Sequence, residues 1–260
     1  MKPAYKNWMP KGMVAGFALA AIGCGLVTSI LALAMPAGAL KTVLAVVFAA
    51  LTVLFLGVTV WSVLLYRAFS YDGKRQMSRQ IIEGIAEQVR VPHSGLCLDV
   101  GCGSGALTIA CAKRNQNASF IGIDRWGKEY ASFSKSLCES NARAEGVSNV
   151  SFEQGDATGL AFPDGYFDAV TSNYVYHNIP GDRQAYLLET LRTLKKGGTF
   201  ALHDIFSKAK YGDMQAFAQK LRDMGYEKVA LIDTTDGKFM KKSEARWMGL
   251  PGSALLVGRK

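Results

Sequence analysis

The chain has 260 residues, 49% of them apolar, and a formal charge of +9. Its mean hydropathy of +0.10 is high for a soluble domain, and both excesses sit in the first third. Residues 1–80 carry eight Lys/Arg and one acid, whereas the remainder carries 22 bases and 20 acids. A nucleic-acid-binding domain concentrates positive charge on its folded part, so this distribution speaks against nucleic acid and for a membrane with anionic headgroups.

Residues 13–35 and 42–66 are two uncharged stretches, each longer than the ~20 residues that a helix needs to cross ~30 Å of hydrocarbon. A Pro/Gly turn, "PAGALK", joins them as a tight helical hairpin. Trp8, Trp61 and Tyr66 lie at the ends, where amphipathic rings favour the interface. Lysines precede the first span, and Arg67, Lys74, Arg75 and Arg79 follow the second, against Lys41 alone in the hairpin. This bias predicts an integral inner- or plasma-membrane protein with both termini and the catalytic domain in the cytoplasm. The first span is too long for the 7–15-residue apolar core of a signal peptide. Residues 1–70 therefore read as a membrane anchor. Gly12, Gly16 and Ala20 set small residues on one helix face, which suits packing on the second span or homodimerisation through the helices.

From residue 71 the pattern changes to alternating helices and strands. Apolar spacing predicts a helix over 73–91, ending before Pro92. Strands follow at 96–100, 118–124, 149–156, 166–173, 199–205, 226–233 and 253–259. Helices fall between them at 106–114, 127–146, 183–195 and 213–225. Such alternation predicts an α/β fold with a doubly wound, mainly parallel sheet of seven strands. The last two strands lack an intervening helix, so the seventh runs antiparallel. Ligands of such sheets bind beyond the strand carboxyl ends, at the switch point.

Four features fall there. "CLDVGCGSG" runs from a strand into alternating glycines, Gly101, Gly103 and Gly105, which let backbone approach a cofactor where a Cβ would clash. By itself this loop fits a nicotinamide dinucleotide, a flavin or another nucleotide-bearing cofactor. Asp124 ends the second strand, where an acid accepts both hydroxyls of a ribose. Asp156 follows the third strand, placed to accept from an exocyclic adenine amine. "SNYVYHNI" after the fourth strand offers Asn173, Tyr174, Tyr176, His177 and Asn178 toward a substrate. His177 reads either as a general base or as a pocket-closing hydrogen-bonding residue. The five cysteines form no C-x-x-C pair, and no ligand spacing suggests a metal.

In this order the motifs resemble the class I S-adenosylmethionine-dependent methyltransferases, of the broad small-molecule type 11 kind, over residues 71–260. The resemblance implies a Rossmann-like methyltransferase sheet with S-adenosylmethionine as cofactor. It places Asp99, Gly101, Cys102, Gly103 and Gly105 in the cofactor loop, Asp124 on the ribose, and Arg125 or Trp126 beside the adenine. Asp156 and Ala157 flank the base, and Asn173 completes the cofactor set. His177, Tyr176 and Tyr174 fall on the catalytic side. With the hairpin, the reading is a membrane-anchored methyltransferase whose acceptor is small and lipophilic or membrane-associated, with membrane lipids as partners. Two alternatives are a nicotinamide- or flavin-dependent oxidoreductase and a non-catalytic cofactor-binding membrane protein. The connection at 234–252 mixes Lys238, Lys241, Lys242 and Arg246 with Phe239, Met240, Trp247 and Met248, a composition that suits an anionic interface or a solvated loop.

Overall fold

The computed structural model describes residues 2–127 and 132–260. It divides into two compact units, Asn7–Ser78 and Met1–Lys6 with Arg79–Lys260. Residues 2–6 thus group with the α/β unit, and 71–78 with the helices, where the sequence alone suggested a division at residue 70.

In the first unit, α1 (Lys11–Ala34) and α2 (Ala39–Phe69) pack as a hairpin. At 1.5 Å per residue they are about 36 and 46 Å long, and both are apolar enough to cross a membrane. Lys41 donates through Nζ to the carbonyls of Ala32 and Met35, at 2.7 and 2.8 Å. It thereby satisfies orphan acceptors at the end of α1, so the one charge in the predicted turn is a helix cap. At the other end Asn7 donates to the Tyr66 carbonyl at 2.7 Å, and Trp8 lies against Phe69. Between the helices, Gly25 faces Thr52, while Gly12 and Gly16 have nothing within 4 Å of a built Cβ. That stretch of the small-residue stripe does not face α2.

The second unit begins in α3 (Met77–Ala86) and continues as β1 (Leu96–Val100), α4 (Ala106–Arg114), β2 (Ser119–Asp124), α5 (Lys135–Ala144), β3 (Val150–Gln154) and β4 (Phe167–Asn173). Then come α6 (Arg183–Arg192), β5 (Leu194–Ile205), α7 (Lys208–Tyr211), α8 (Met214–Asp223), β6 (Glu227–Asp233), α9 (Lys242–Trp247) and β7 (Ser253–Arg259). The helix predicted over 127–146 is described from Lys135; its part at 128–131 lies outside the described residues. Neither α7 nor α9 was predicted, since both are shorter than two turns and carry no periodicity.

The seven strands lie in the order β3-β2-β1-β4-β5-β7-β6. All neighbours are parallel except β7, which is antiparallel to β5 and β6; the direction is the expected one, although the connection is not helix-free, since it carries the short α9. The order reverses between β1 and β4, whose register sets Val100 opposite Ser172. Leu187, Leu191, Phe217 and Leu221 from α6 and α8 cover one face of the sheet with Leu98, Val170 and Leu202. Ile109, Cys138 and Ala142 from α4 and α5 meet Phe152 and Cys102 in a smaller cluster. Phe239, Met240 and Met248 are buried, leaving Trp247 and the cations of the 234–252 connection exposed. Most of the apolar content proposed for a membrane interface therefore turns inward.

Candidate functional site

The loop after β1 takes the shape its glycines permit. Gly101, Gly103 and Gly105 have φ of +73°, +55° and +80°, in the left-handed region that disfavours a Cβ. The N–H groups of Gly101 and Cys102 both reach the Ile123 carbonyl, at 2.8 and 2.9 Å, which pins the loop to the end of β2. A Cβ on Gly101 would lie 2.2 Å from Val175, whereas one on Gly103 would meet nothing within 4 Å. The loop is thus closed against the β4 segment at one glycine and open at the next.

Asp124 faces that opening. Its Oδ2 accepts the Gly103 N–H at 2.9 Å and its Oδ1 the Trp126 N–H at 2.8 Å, which leaves each oxygen a further acceptor position. Trp126, with φ +44°, folds its indole N–H onto the Gly103 carbonyl at 3.1 Å. Gly103, Asp124 and Trp126 are therefore one constellation. Arg125 is exposed. Asp156 stands two residues beyond Gln154, the β3 partner of Asp124. It is exposed, and its Oδ1 accepts the N–H and hydroxyl of Thr158 at 2.8 and 2.7 Å. Those bonds hold its carboxyl below the usual range. Ala157 packs against the main core.

Other predicted residues are placed differently. Asp99 is buried beneath the loop, accepting from Thr108 at 2.6 Å and Thr171 at 2.9 Å. It ties β1 to α4 and β4, and burial raises its carboxyl to about 7 against the two hydroxyls. Cys102 is buried in the small cluster, and its backbone N–H is the part that shapes the loop. Asn173 is turned toward β5, its Oδ1 2.8 Å from His203 Nδ1.

The expectation that Tyr176 faces the acceptor is corrected. It is 1% exposed, with its hydroxyl 2.6 Å from Thr190 Oγ1 in the core. In the one-turn 3-10 helix at Tyr176–Asn178 successive side chains point about 120° apart, and Tyr176 is buried while His177 is partly exposed. Tyr174, with φ +56°, pairs its hydroxyl with Ser253 Oγ at 2.8 Å. Its ring lies between His203 and His177, with centroids 4.7 and 5.9 Å away. Burial pushes both tyrosines' ionisation upward.

His177 has a partner that sequence reasoning did not assign. Its Nδ1 lies 2.5 Å from Asp204 Oδ1, and Asp204 is 1% exposed at the end of β5. Ile205 N–H, His177 N–H and the Tyr211 hydroxyl also donate to Asp204, at 2.7, 3.2 and 2.8 Å. Burial by itself would raise this carboxyl; the bonds from His177 and Tyr211 outweigh it and hold it below its ordinary value. The available signal was the His203–Asp204 pair at the carboxyl end of the central strand β5. His203 is buried and held neutral, with burial lowering it to about 3. Among the described residues no group of His, Cys, Asp and Glu is arranged to hold a metal.

The family model described as a methyltransferase domain matches residues 94–247, more than half of the chain. This protein belongs to that family, for which the sequence motifs imply S-adenosylmethionine as cofactor. The open glycine beside Asp124 fits that cofactor, offering backbone without a Cβ next to a carboxylate with free acceptor positions. Among particular relatives, the chain is 37% identical over 110 residues to the uncharacterized methyltransferase YcgJ of Bacillus subtilis, covering 42% of this chain and 40% of that one. It is 31% identical over 136 residues to 27-O-demethylrifamycin SV methyltransferase of Amycolatopsis mediterranei, covering 52% and 47%. With demethylmenaquinone methyltransferase of Bacillus licheniformis it shares 30% identity over 131 residues, covering 50% and 53%. The chain thus spans about half the length of the curated relatives it matches. Its fold is similar to the [4+2]-cyclase SpnF, with TM-score 0.56, 19% identity and coverage of 74% and 85%. It is equally similar to a geranyl diphosphate methyltransferase, with TM-score 0.56, 14% identity and coverage of 75% and 82%. A cyclase and a methyltransferase at the same score illustrate that these two likenesses speak to fold alone.

Proposed function

We propose that this chain is a membrane-anchored methyltransferase acting on a small, lipophilic or membrane-delivered acceptor. In this reading residues 1–70 hold the enzyme in the membrane through α1 and α2, and 71–260 form the catalytic domain on the cytoplasmic side. The cofactor supplies an electrophilic methyl group on a sulfonium, with a neutral thioether as leaving group. The protein's main contribution is then alignment.

The observation that carries the site assignment is the open, left-handed Gly103 beside Asp124 at the β1–β4 switch point. Gly101, Gly103 and Gly105 cradle the cofactor, Asp124 accepts its ribose hydroxyls, and Trp126 and Ala157 flank the adenine. Asp156 keeps Oδ2 for the adenine amine, while Asp99 and Cys102 shape the loop from below. His177 is the side chain left to face the acceptor. The acceptor class draws support from relatives whose names specify small organic acceptors, a demethylmenaquinone and a demethylrifamycin. The two apolar helices support delivery from a membrane.

Calorimetry with S-adenosylmethionine tests the site. Asp124→Ala should weaken binding by ~1.5–3 kcal/mol, the scale of hydrogen bonds to a charged group, which is roughly 10- to 150-fold. Unchanged affinity would remove Asp124 from the ribose. For the acceptor, labelled methyl transfer into a membrane extract should put the label in the organic-soluble fraction.

A further inference from the structure

The pairing of His177 with Asp204 bears on what the acceptor is. Asp204 receives four donors, from His177 Nδ1, the His177 and Ile205 backbone N–H groups and the Tyr211 hydroxyl. A carboxylate so supplied is ionised and accepts only, so the neutral imidazole keeps its proton on Nδ1. The lone pair is then on Nε2, at the side of the ring away from the buried Asp204. The His177 side chain is 14% exposed while that of Asp204 is 1% exposed, so Nε2 is the nitrogen that a ligand can reach. Val175, two residues before His177, packs against Gly101 of the cofactor loop, so this segment borders that loop.

The other charged or titratable groups around the imidazole do not compete for that role. Lys210 donates from Nζ to the His177 carbonyl at 3.0 Å. Arg183 donates to the Lys210 carbonyl at 3.3 Å. Tyr174 is tied to Ser253, and Tyr211 to Asp204.

Resting on the methyltransfer reading above, we infer that His177 is a general base held by Asp204 and Tyr211, and that the acceptor is a hydroxyl, of an alcohol or a phenol. A base is needed only where the acceptor still carries its proton as the methyl arrives. A thiol near its pKa of ~8.5 supplies enough thiolate unaided, an amine sheds its proton to water before it binds, and a hydroxyl of pKa ~10 or above keeps it. In the step, the acceptor oxygen forms its bond to the methyl carbon as the O–H proton passes to Nε2. The methyl–sulfur bond breaks with its electron pair left on sulfur, and the imidazolium formed is stabilised by Asp204 until it releases the proton to water. Asp204 and Tyr211 are positioning residues; His177 is the catalytic residue.

The test uses the full chain in lipid, a membrane extract as acceptor source, and S-adenosylmethionine with an isotope-labelled methyl group. Product NMR reports the atom that carries the label, and calorimetry reports cofactor binding. The expected result is an O-methyl product. His177→Gln and Asp204→Asn should each lower kcat by about a hundredfold or more with cofactor affinity unchanged. The wild-type rate should level off on the alkaline side while both variants continue to rise, because the acceptor must then ionise by itself. Methyl on sulfur, nitrogen or carbon overturns the inference, as does cofactor binding without transfer. So does a His177→Gln enzyme, whose altered side chain is partly exposed, with the wild-type rate and pH profile. Failure of the wild-type chain to bind S-adenosylmethionine would instead sink the site reading on which this rests.

Discussion

Asp99 and His203 are buried titratable groups with opposite effects on stability. Asp99, near 3.8 when unfolded and about 7 when folded, binds the extra proton in the native state, so it costs stability as pH rises from about 4 to 7. His203, near 6.5 unfolded and about 3 folded, must stay neutral, so its stability is full above about 6.5 and is lost as pH falls toward 3. Over the shared window the two slopes oppose each other. Relative to wild type, Asp99→Asn should therefore gain stability as pH rises from 4 to 7, and His203→Gln should gain as pH falls from 6.5. Denaturant titrations across that range check both; parallel responses would contradict the assignment. Gly101→Ala faces a left-handed φ and the Val175 side chain together. The φ by itself costs ~1–2 kcal/mol, so thermal unfolding should show a loss of at least that size, with weaker cofactor binding.

Between elements, the contact least visible from the sequence joins the first residues of the chain to α5. The Ala4 N–H reaches Asn141 Oδ1 at 2.7 Å, and Asn141, 1% exposed, donates from Nδ2 to the Ser104 carbonyl at 2.9 Å. Tyr5 packs on the cluster of Cys102, Cys138 and Phe152, beside Trp126. One buried amide thus couples the N-terminal strap to the cofactor loop. Asn141→Ala leaves the Ser104 carbonyl without that donor, at a cost of ~1–3 kcal/mol. It should weaken S-adenosylmethionine binding, and Tyr5→Ala should do so to a smaller degree. Calorimetry in lipid checks this; full affinity in Asn141→Ala would separate the strap from the site. No periodicity or motif marks residues 2–6, since isolated hydrogen bonds, from Ala4 to Asn141 and from Tyr5 to Glu145, and one ring make the contact. The helices and strands were legible because each buries a face that repeats at its own period.

For the molecule as a whole, the charge bias predicts a hairpin tip outside the membrane and both ends within. Maleimide labelling of intact cells carrying Ala37→Cys, with a membrane-impermeant reagent, should mark the tip. A tag after Lys260 should be reached only once the cells are opened. Labelling of the tag in intact cells would reverse the topology. The other four cysteines outside α1 are buried, so they leave the background low.

Fold class, the antiparallel seventh strand and a nucleoside-bearing cofactor were readable in the residues. Alternating periods dictate the β/α succession, and the glycine loop with acids at successive strand ends specifies a nucleoside-bearing cofactor. Tertiary structure decided which acid does what. Asp99 and Asp124 are both acids at strand ends, yet one is buried under threonine hydroxyls and the other faces an open glycine. Tyr176 and His177 are neighbours, yet one turns into the core and the other meets Asp204, 27 residues away on β5. Local sequence carries the period of an element. The direction of a side chain, and the partner that sets its proton, come from the strand that packs beside it.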